Sequence, residues 1–334
     1  MSRQELGNSH LPVTQMGLGL AALGRPGYIN LGHGADLENN HDVMVMEARA
    51  HKVLDAAWEG GIRYFDAARS YGKAEDFLSS WLVKRKIEAD SVTIGSKWGY
   101  TYTADWQVNV EKGKLHEVKE HSLTVLQRQI QESRNLLGGQ LGLYQIHSTT
   151  LDSGVLSNMS VLTELARLRD TGLAIGFSVT GTGQAETIER ALEIKFDGTL
   201  LFSAVQASWN LLEQSVTSAL QMAHNAGLGV IVKEGLANGR LTSRNTAPDF
   251  QKQMTMLQRL AEELNSTVDG LALAAVLNQP FVDVVLSGAA SVEHLQSNLQ
   301  ALQLPWSDSL AATLRELVEP VESYWHTRSQ LAWN

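Results

Sequence analysis

Four polar side chains stand at or just after the carboxyl ends of short apolar runs in the first half of the chain. Asp66 lies near the end of one run, Tyr71 follows five residues later, Lys97 lies near the end of the next run, and His147 near the end of the one after. A phenol, an imidazole, a cation and a carboxylate together form a set that moves protons. A lysine in an apolar strand is costly to bury without a carboxylate, so we predict that Asp66 pairs with Lys97.

Eight such runs alternate with amphipathic stretches along the chain, which is the pattern of repeated βα units with a parallel sheet. The runs are 17–23, 62–67, 92–98, 143–148, 174–179, 205–209, 229–233 and 284–288. An α/β fold is therefore predicted. The count alone suits both an open sheet and a closed (β/α)8 TIM barrel, and we favour the barrel because the polar residues at the run ends would then share one rim.

Two segments exceed a minimal barrel: an insertion over 99–122, after the third run, and a helical tail over 309–328. The insertion follows a strand end, so it is expected at the face where barrel enzymes keep their sites. Trp98 and Trp106 are interpreted as substrate-pocket residues, with core packing as the alternative. No linker or repeat divides the chain, and one domain over residues 1–334 is expected.

The composition excludes several kinds of site. The chain has 334 residues, no cysteine and a net charge of -9. Disulfides, thiolate nucleophiles and zinc-cysteine sites are thereby excluded. The acidic balance gives no reason to bind nucleic acid or an anionic membrane, and without an apolar leader a cytoplasmic protein is expected. His116 and His121 are spaced wrongly for one helical face, so no metal site is expected.

Three motifs accompany the four residues above, around Gln206 (Val205-Gln206-Ala207-Ser208), Gly239 (Ala237-Asn238-Gly239-Arg240) and Gly288 (Ser287-Gly288-Ala289-Ala290). On these residues and motifs, the chain resembles the aldo-keto reductase family over nearly its whole length. The resemblance implies hydride transfer between a nicotinamide cofactor and a carbonyl or alcohol. Tyr71 is the implied proton donor or acceptor, assisted by Lys97, Asp66 and His147. We expect Lys97 to lower the pKa of Tyr71.

The resemblance also implies residues that bind an extended cofactor at the barrel mouth. They are Ser178, Gln206, Lys233, Leu236, Ala237, Gly239, Arg244, Gly288, Ala290, His294 and Asn298. The choice between NADPH and NADH stays open, because family members selective for the 2'-phosphate commonly have basic residues where this chain has Ala289, Ala290 and His294, whereas Arg244 matches a phosphate-binding position.

Lys233 is the sharpest departure from the family, since many members have an aromatic residue there, stacked on the nicotinamide. We hypothesise that its stem covers the ring and that its charge disfavours the oxidised cofactor. The alternative is a lysine paired with Glu234 or extended to solvent, because adjacent strand residues point to opposite faces.

Other functions stay open on sequence grounds. One is an NAD-dependent sugar or alcohol dehydrogenase that works mainly in the oxidative direction. The others are a non-catalytic nucleotide-binding partner subunit and an aldolase that forms a Schiff base on Lys97 or Lys233. Neither the individual substrate nor the oligomeric state follows from the sequence.

Overall fold

The computed structural model describes residues 1–334 and contains fourteen strands. They are β1 (Arg3–Glu5), β2 (Pro12–Thr14), β3 (Met16–Gly19), β4 (Tyr64–Asp66), β5 (Thr93–Trp98), β6 (Tyr100–Tyr102), β7 (Glu117–Lys119), β8 (Leu141–Thr149), β9 (Ala174–Val179), β10 (Lys195–Phe196), β11 (Thr199–Leu200), β12 (Ala204–Ser208), β13 (Gly229–Lys233) and β14 (Val284–Ser287).

Twelve α-helices surround or extend the sheet. They are α1 (His33–Asp36), α2 (Val43–Glu59), α3 (Ala74–Arg85), α4 (Leu123–Leu137), α5 (Met159–Asp170), α6 (Gln184–Leu192), α7 (Thr217–Asn225), α8 (Gln251–Glu263), α9 (Val268–Leu277), α10 (Val292–Gln300), α11 (Asp308–Leu314) and α12 (Val321–Ser329).

Eight strands form a closed parallel barrel in the order β3, β4, β5, β8, β9, β12, β13 and β14, with β14 pairing back to β3. The predicted (β/α)8 barrel is confirmed, and each apolar run contains or overlaps one barrel strand. The first barrel strand ends at Gly19, four residues before the end of the predicted run. After Gly19 the chain turns, and the amides of Leu23 and Gly24 donate to the carbonyl oxygen of Leu20.

Six of the twelve helices begin at a side chain that accepts hydrogen bonds from their free backbone N–H groups. The carboxylate of Asp42 accepts hydrogen bonds from the amides of Met44 and Val45 at the start of α2. Ser122 and Asn158 cap α4 and α5 in the same way. Such caps stabilise a helix by about 1 kcal/mol. No helix is both long and apolar enough to cross a membrane.

The antiparallel hairpin β1–β2 packs against the barrel interior and was not predicted. Leu6 lies in the connection between β1 and β2 and is fully buried in a cluster with the barrel residues Leu143 and Ile231. A Cβ atom on Gly229 would lie 2.4 Å from the Cγ of Leu6, so only glycine fits there. The absence of a side chain at Gly229 therefore lets Leu6 pack closely against the amino end of β13.

The two predicted additions have defined structures. Residues 99–122 contain the antiparallel hairpin β6–β7, in which Tyr100 pairs with Lys119. The tail contains α11 and α12, and its Tyr324 is buried, with a hydroxyl that accepts a hydrogen bond from Asn210 at 2.9 Å. That bond fixes α12 against the loop that follows β12.

Candidate active site

The ion pair between Asp66 and Lys97 is buried at the carboxyl ends of β4 and β5, as predicted. Lys97 Nζ donates to the Asp66 carboxylate and, at 2.9 Å, to the carbonyl oxygen of Ala67. The second carboxylate oxygen accepts from the amides of Gln206 at 3.0 Å and Gln145 at 3.4 Å. A buried ion pair is tolerated when its remaining lone pairs are bonded in this way.

Tyr71 lies in the loop after β4 and lines a cavity at the barrel mouth. Burial raises its pKa above the ordinary value, and the Asp66 carboxylate raises it further, while Arg25 opposes them. We expected Lys97 to leave Tyr71 with a lowered pKa, but the pKa is raised, because burial and the Asp66 carboxylate both disfavour a phenolate. Tyr71 is therefore protonated at neutral pH, the form that donates a proton.

The ring of His147 lines the same cavity, edge to face with Tyr71 at 5.5 Å between centroids and with Tyr100 at 5.0 Å. Burial holds the pKa of His147 well below its usual range, and the nearby charges of Lys97 and Arg25 lower it further. The imidazole is therefore neutral and has one N–H to donate.

An irregularity in β8 positions His147. The pairing of β8 with β9 shifts register between Ile146 and Thr149, as a bulge does, and Ser148 has a positive φ of 52°. The amide of Ser148 donates to Ser178 Oγ at 2.8 Å. Ser178, implied by the resemblance as a cofactor contact, is fully buried and does not line the cavity, and its hydroxyl supports the backbone beside His147.

The cavity has a volume of about 450 Å³ and extends from Tyr71 and His147 to Arg244 and His294. Eight of the eleven implied cofactor residues line it: Gln206, Lys233, Leu236, Gly239, Arg244, Gly288, His294 and Asn298. Ala237 and Ala290 join Ser178 as buried residues that do not line it.

The two predicted substrate tryptophans lie outside the cavity. Trp98 is fully buried in the hydrophobic core, because Lys97 before it points inward and strand neighbours alternate. Trp106 packs on Phe77, and its indole N–H donates to the carbonyl oxygen of His41 at 2.6 Å. Trp333, which lies beyond the predicted tail, lines the cavity instead.

Lys233 and Glu234 both line the cavity, although alternation predicted opposite faces. Glu234 follows the last residue of β13 and has a φ of 57°, which turns its side chain back to the same side. Lys233 Nζ donates to Ser208 Oγ at 2.6 Å and lies 3.8 Å from the Glu234 carboxylate. Burial lowers the pKa of Lys233 to about 8.

Glu234 is held ionised by its neighbours. Burial alone would raise its pKa, but the charges of Arg328 and Lys233 place that pKa far below the usual value. The guanidinium of Arg328, on α12, donates to both carboxylate oxygens, and Ser208 donates at 2.7 Å. The C-terminal tail thus supplies a charged group to the cavity wall.

Sequence reasoning missed Arg25, which is 3% exposed and lines the cavity. Its Nη1 donates to the carbonyl oxygen of Ser70 at 3.0 Å and to the carboxylate of Glu117, on β7, at 2.7 Å. Its Cζ lies 5.4 Å from the centroid of the Tyr71 ring. The signal was a charged residue shortly after the first apolar run, but its partner lies 92 residues away.

Asp36, in α1, was also missed. Its side chain is nearly buried and accepts from Arg244 at 2.8 Å, and His294 Nε2 lies 3.8 Å from it. Arg244 also donates to the carbonyl oxygens of Leu31 and Gly32, both at 3.3 Å. The basic residue implied for phosphate binding therefore already carries a carboxylate partner.

The sequence profile of the Aldo/keto reductase family matches residues 28–319. The chain belongs to this family of oxidoreductases. Similar curated proteins include the NADH-specific methylglyoxal reductase of Escherichia coli, 24% identical over 96% of this chain and 100% of that protein. The pyridoxal 4-dehydrogenase of Microbacterium luteolum is 24% identical over 94% of this chain and 96% of that protein.

A solved structure of an aldo-keto reductase has the same fold as this chain. The holo form of an aldo-keto reductase from Bacillus halodurans superposes with a TM-score of 0.70 and 21% sequence identity, over 96% of this chain and 97% of that one. No group of three or more histidine, aspartate and glutamate side chains is arranged to hold a metal ion.

Proposed function

We propose that this protein catalyses hydride transfer between a nicotinamide cofactor and a carbonyl or alcohol substrate, with Tyr71 as proton donor or acceptor. The observation that supports the proposal most directly is the placement of Tyr71 and His147 on one cavity wall, with their rings 5.5 Å apart, beside the buried ion pair of Asp66 and Lys97.

Carbonyl reduction needs a hydride on carbon and a proton on oxygen. The nicotinamide, when bound, supplies that hydride in reduction and accepts one in alcohol oxidation. Tyr71 supplies the proton to the carbonyl oxygen, and neutral His147 donates a hydrogen bond to the same oxygen as charge develops there. Lys97 stabilises the phenolate left on Tyr71 after transfer, and Asp66 positions Lys97.

The other end of the cavity fits a dinucleotide. Gly288 lines it, and a Cβ atom at that position would meet nothing within 4 Å, so the bare backbone leaves room for a ligand. Gln206 and Asn298 add amide groups, and Leu236 adds an apolar side chain. We assign the cofactor to these residues, with the adenosine end at Arg244 and His294.

We further propose that NADH is preferred over NADPH. A 2'-phosphate near Arg244 and His294 would approach the Asp36 carboxylate and compete with it for the guanidinium of Arg244. A ribose 2'-hydroxyl, by contrast, is able to donate to a carboxylate. Repulsion of the unwanted nucleotide is a usual source of such selectivity.

One rival function has a specific observation in its favour. Lys233 lines the cavity and has a lowered pKa, which are properties of a lysine that forms Schiff bases. Lys97 does not line the cavity, and its ammonium is held by Asp66 and Ala67. Borohydride treatment with a carbonyl substrate, followed by peptide mass analysis, distinguishes the functions: an adduct on Lys233 without any nicotinamide requirement would support the aldolase.

The direct test is spectrophotometric. The purified protein, mixed with NADH or NADPH and a panel of aldehydes and ketones, should consume reduced nicotinamide in proportion to enzyme concentration, and the oxidised cofactor with the matching alcohols should run the reverse reaction. Tight nucleotide binding with no turnover on any compound would instead support a non-catalytic partner subunit.

A further inference from the structure

Two ion pairs line the cavity beside Tyr71. Arg25 donates to Glu117 at 2.7 Å, and Arg328 donates to Glu234 at 3.1 Å. The charges cancel within each pair, so the two pairs present fixed guanidinium donors and carboxylate acceptors and themselves add little net charge to the cavity.

Two aromatic rings complete this wall. Arg25 Cζ lies 5.4 Å from the ring centroid of Tyr28 and 4.7 Å from that of Trp333, and both rings line the cavity. Trp333 is held flat against the His116 imidazole, with 4.1 Å between centroids and an interplanar angle of 4°. The rings are therefore fixed faces against which C–H groups of a ligand are able to pack.

An apolar substrate is poorly suited to such a wall. It would remove water from the outer edges of both ion pairs without replacing the lost hydrogen bonds, and unpaired buried polar groups are costly. A substrate with several hydroxyl groups replaces that water, because each hydroxyl both donates and accepts.

We propose that the substrates are neutral polyhydroxylated carbonyl compounds or the matching alcohols, the chemical class of small sugars. Hydroxyl groups near the reacting carbon bind Arg25 and Glu117, and the C–H face lies on Tyr28 or Trp333. The assignment rests on the proposed function, since it takes Tyr71 as the position of the reacting carbonyl.

Three four-carbon aldehydes test the proposal in the wild-type enzyme. They are erythrose, which is hydroxylated, butanal, which is apolar, and succinic semialdehyde, which is anionic. With NADH, kcat/KM for erythrose should exceed that for each of the others at least tenfold. A preference for butanal, or for the anionic aldehyde, would overturn the proposal.

The double variant Arg25→Met/Glu117→Met identifies the residues responsible. It replaces an ion pair with apolar groups of similar size, an exchange that often leaves stability unchanged, and thermal unfolding checks that it does. The ratio of kcat/KM for erythrose to that for butanal should fall at least tenfold, mainly through KM for erythrose.

A matched control is Arg240→Met/Glu319→Met. This pair is similarly buried, with side-chain exposures of 11% and 22%, and it lies outside the cavity lining. The ratio should stay at the wild-type value. An equal fall in both double variants, or no fall in the first, would overturn the proposal.

The substrate assignment and the proposed function are distinguished by these measurements. If erythrose and butanal are both reduced by a Tyr71-dependent reaction but the ratio does not respond to the first double variant, the substrate assignment is wrong and the proposed function stands. If no aldehyde is reduced and no matching alcohol is oxidised with either cofactor, both are wrong.

Discussion

Lys97 Nζ lies over the ring of Tyr71, 4.9 Å from its centroid, while its hydrogen bonds go to Asp66 and Ala67. The cation therefore acts on the phenol through space and through the ring face, without taking the phenolic oxygen as a hydrogen-bond partner. The hydroxyl of Tyr71 stays available to a substrate. The same arrangement makes Lys97 structurally necessary, because it is the counter-ion of a buried carboxylate.

Tyr71→Phe should remove turnover and spare cofactor binding. The hydroxyl is the only group lost, and loss of a general acid costs about 10²- to 10⁴-fold in kcat. Dissociation constants for NADH, from fluorescence titration, should change little. Tyr102→Phe deletes the same atom in the β6–β7 hairpin, outside the cavity, and should keep wild-type kcat. Near wild-type kcat in Tyr71→Phe would contradict the assignment.

Lys97→Met should destabilise the fold as well as abolish activity, because it leaves the Asp66 carboxylate buried without its cation. The expected loss is about 3–5 kcal/mol in the free energy of unfolding, measured with urea. The double variant Asp66→Asn/Lys97→Met should recover part of that loss and remain inactive. Recovery of turnover in the double variant would mean that Lys97 serves folding alone.

Lys233→Met should tighten binding of the oxidised cofactor relative to the reduced one. The ammonium repels a positively charged nicotinamide more than a neutral one, and a shift of about tenfold in the affinity ratio corresponds to ~1.4 kcal/mol. Fluorescence titrations with both forms of the cofactor measure the ratio.

The pKa of about 8 for Lys233 adds a pH signature. The side chain is charged below that pH and neutral above it, so in the wild type the relative affinity for the oxidised form should rise between pH 7 and 9.5. Lys233→Met should show a flat ratio over that range, whereas Lys119→Met, which removes a lysine outside the cavity, should behave as the wild type. A rising ratio in Lys233→Met would assign the titration to another group.

Asp36→Asn should shift nucleotide selectivity toward NADPH. The change removes a negative charge near the implied 2'-position and releases Arg244 to bind phosphate, so the ratio of kcat/KM for NADPH to that for NADH should rise about tenfold, or ~1.4 kcal/mol. Glu38→Gln makes the same charge change two residues away on an 80% exposed side chain and serves as the control. An unchanged ratio of kcat/KM for NADPH to that for NADH in Asp36→Asn would contradict the proposed preference for NADH.

The barrel and its four polar rim residues were predictable because both depend on local sequence. Short apolar runs that are buried along their whole length can be located from local sequence, and parallel strands bring their carboxyl ends to one rim. Strand alternation also explains the error at Trp98, which had to point away once Lys97 pointed inward.

The rest of the cavity depends on loops whose partners are far apart in the chain. Arg25 meets Glu117 across an insertion, and Asp36 meets Arg244 across most of the barrel. Neither pairing could be predicted from the sequence, because the two partners are not separated by a helical or strand repeat. Glu234 was misplaced because a left-handed backbone conformation after β13 cancels the alternation on which the prediction relied.

The cavity can form only after β14 has paired with β3. Met16 and Val285 are neighbours in the sheet but lie near opposite ends of the chain, so the ring of strands is completed by one of the longest-range contacts in the molecule. Such contacts carry a large loop-closure entropy. The cavity takes residues from both sides of that seam, Gly19 on β3 and Ser287 on β14. Assembly of the whole cavity during refolding therefore requires this pairing, whereas the circular dichroism signal of the helices does not report it.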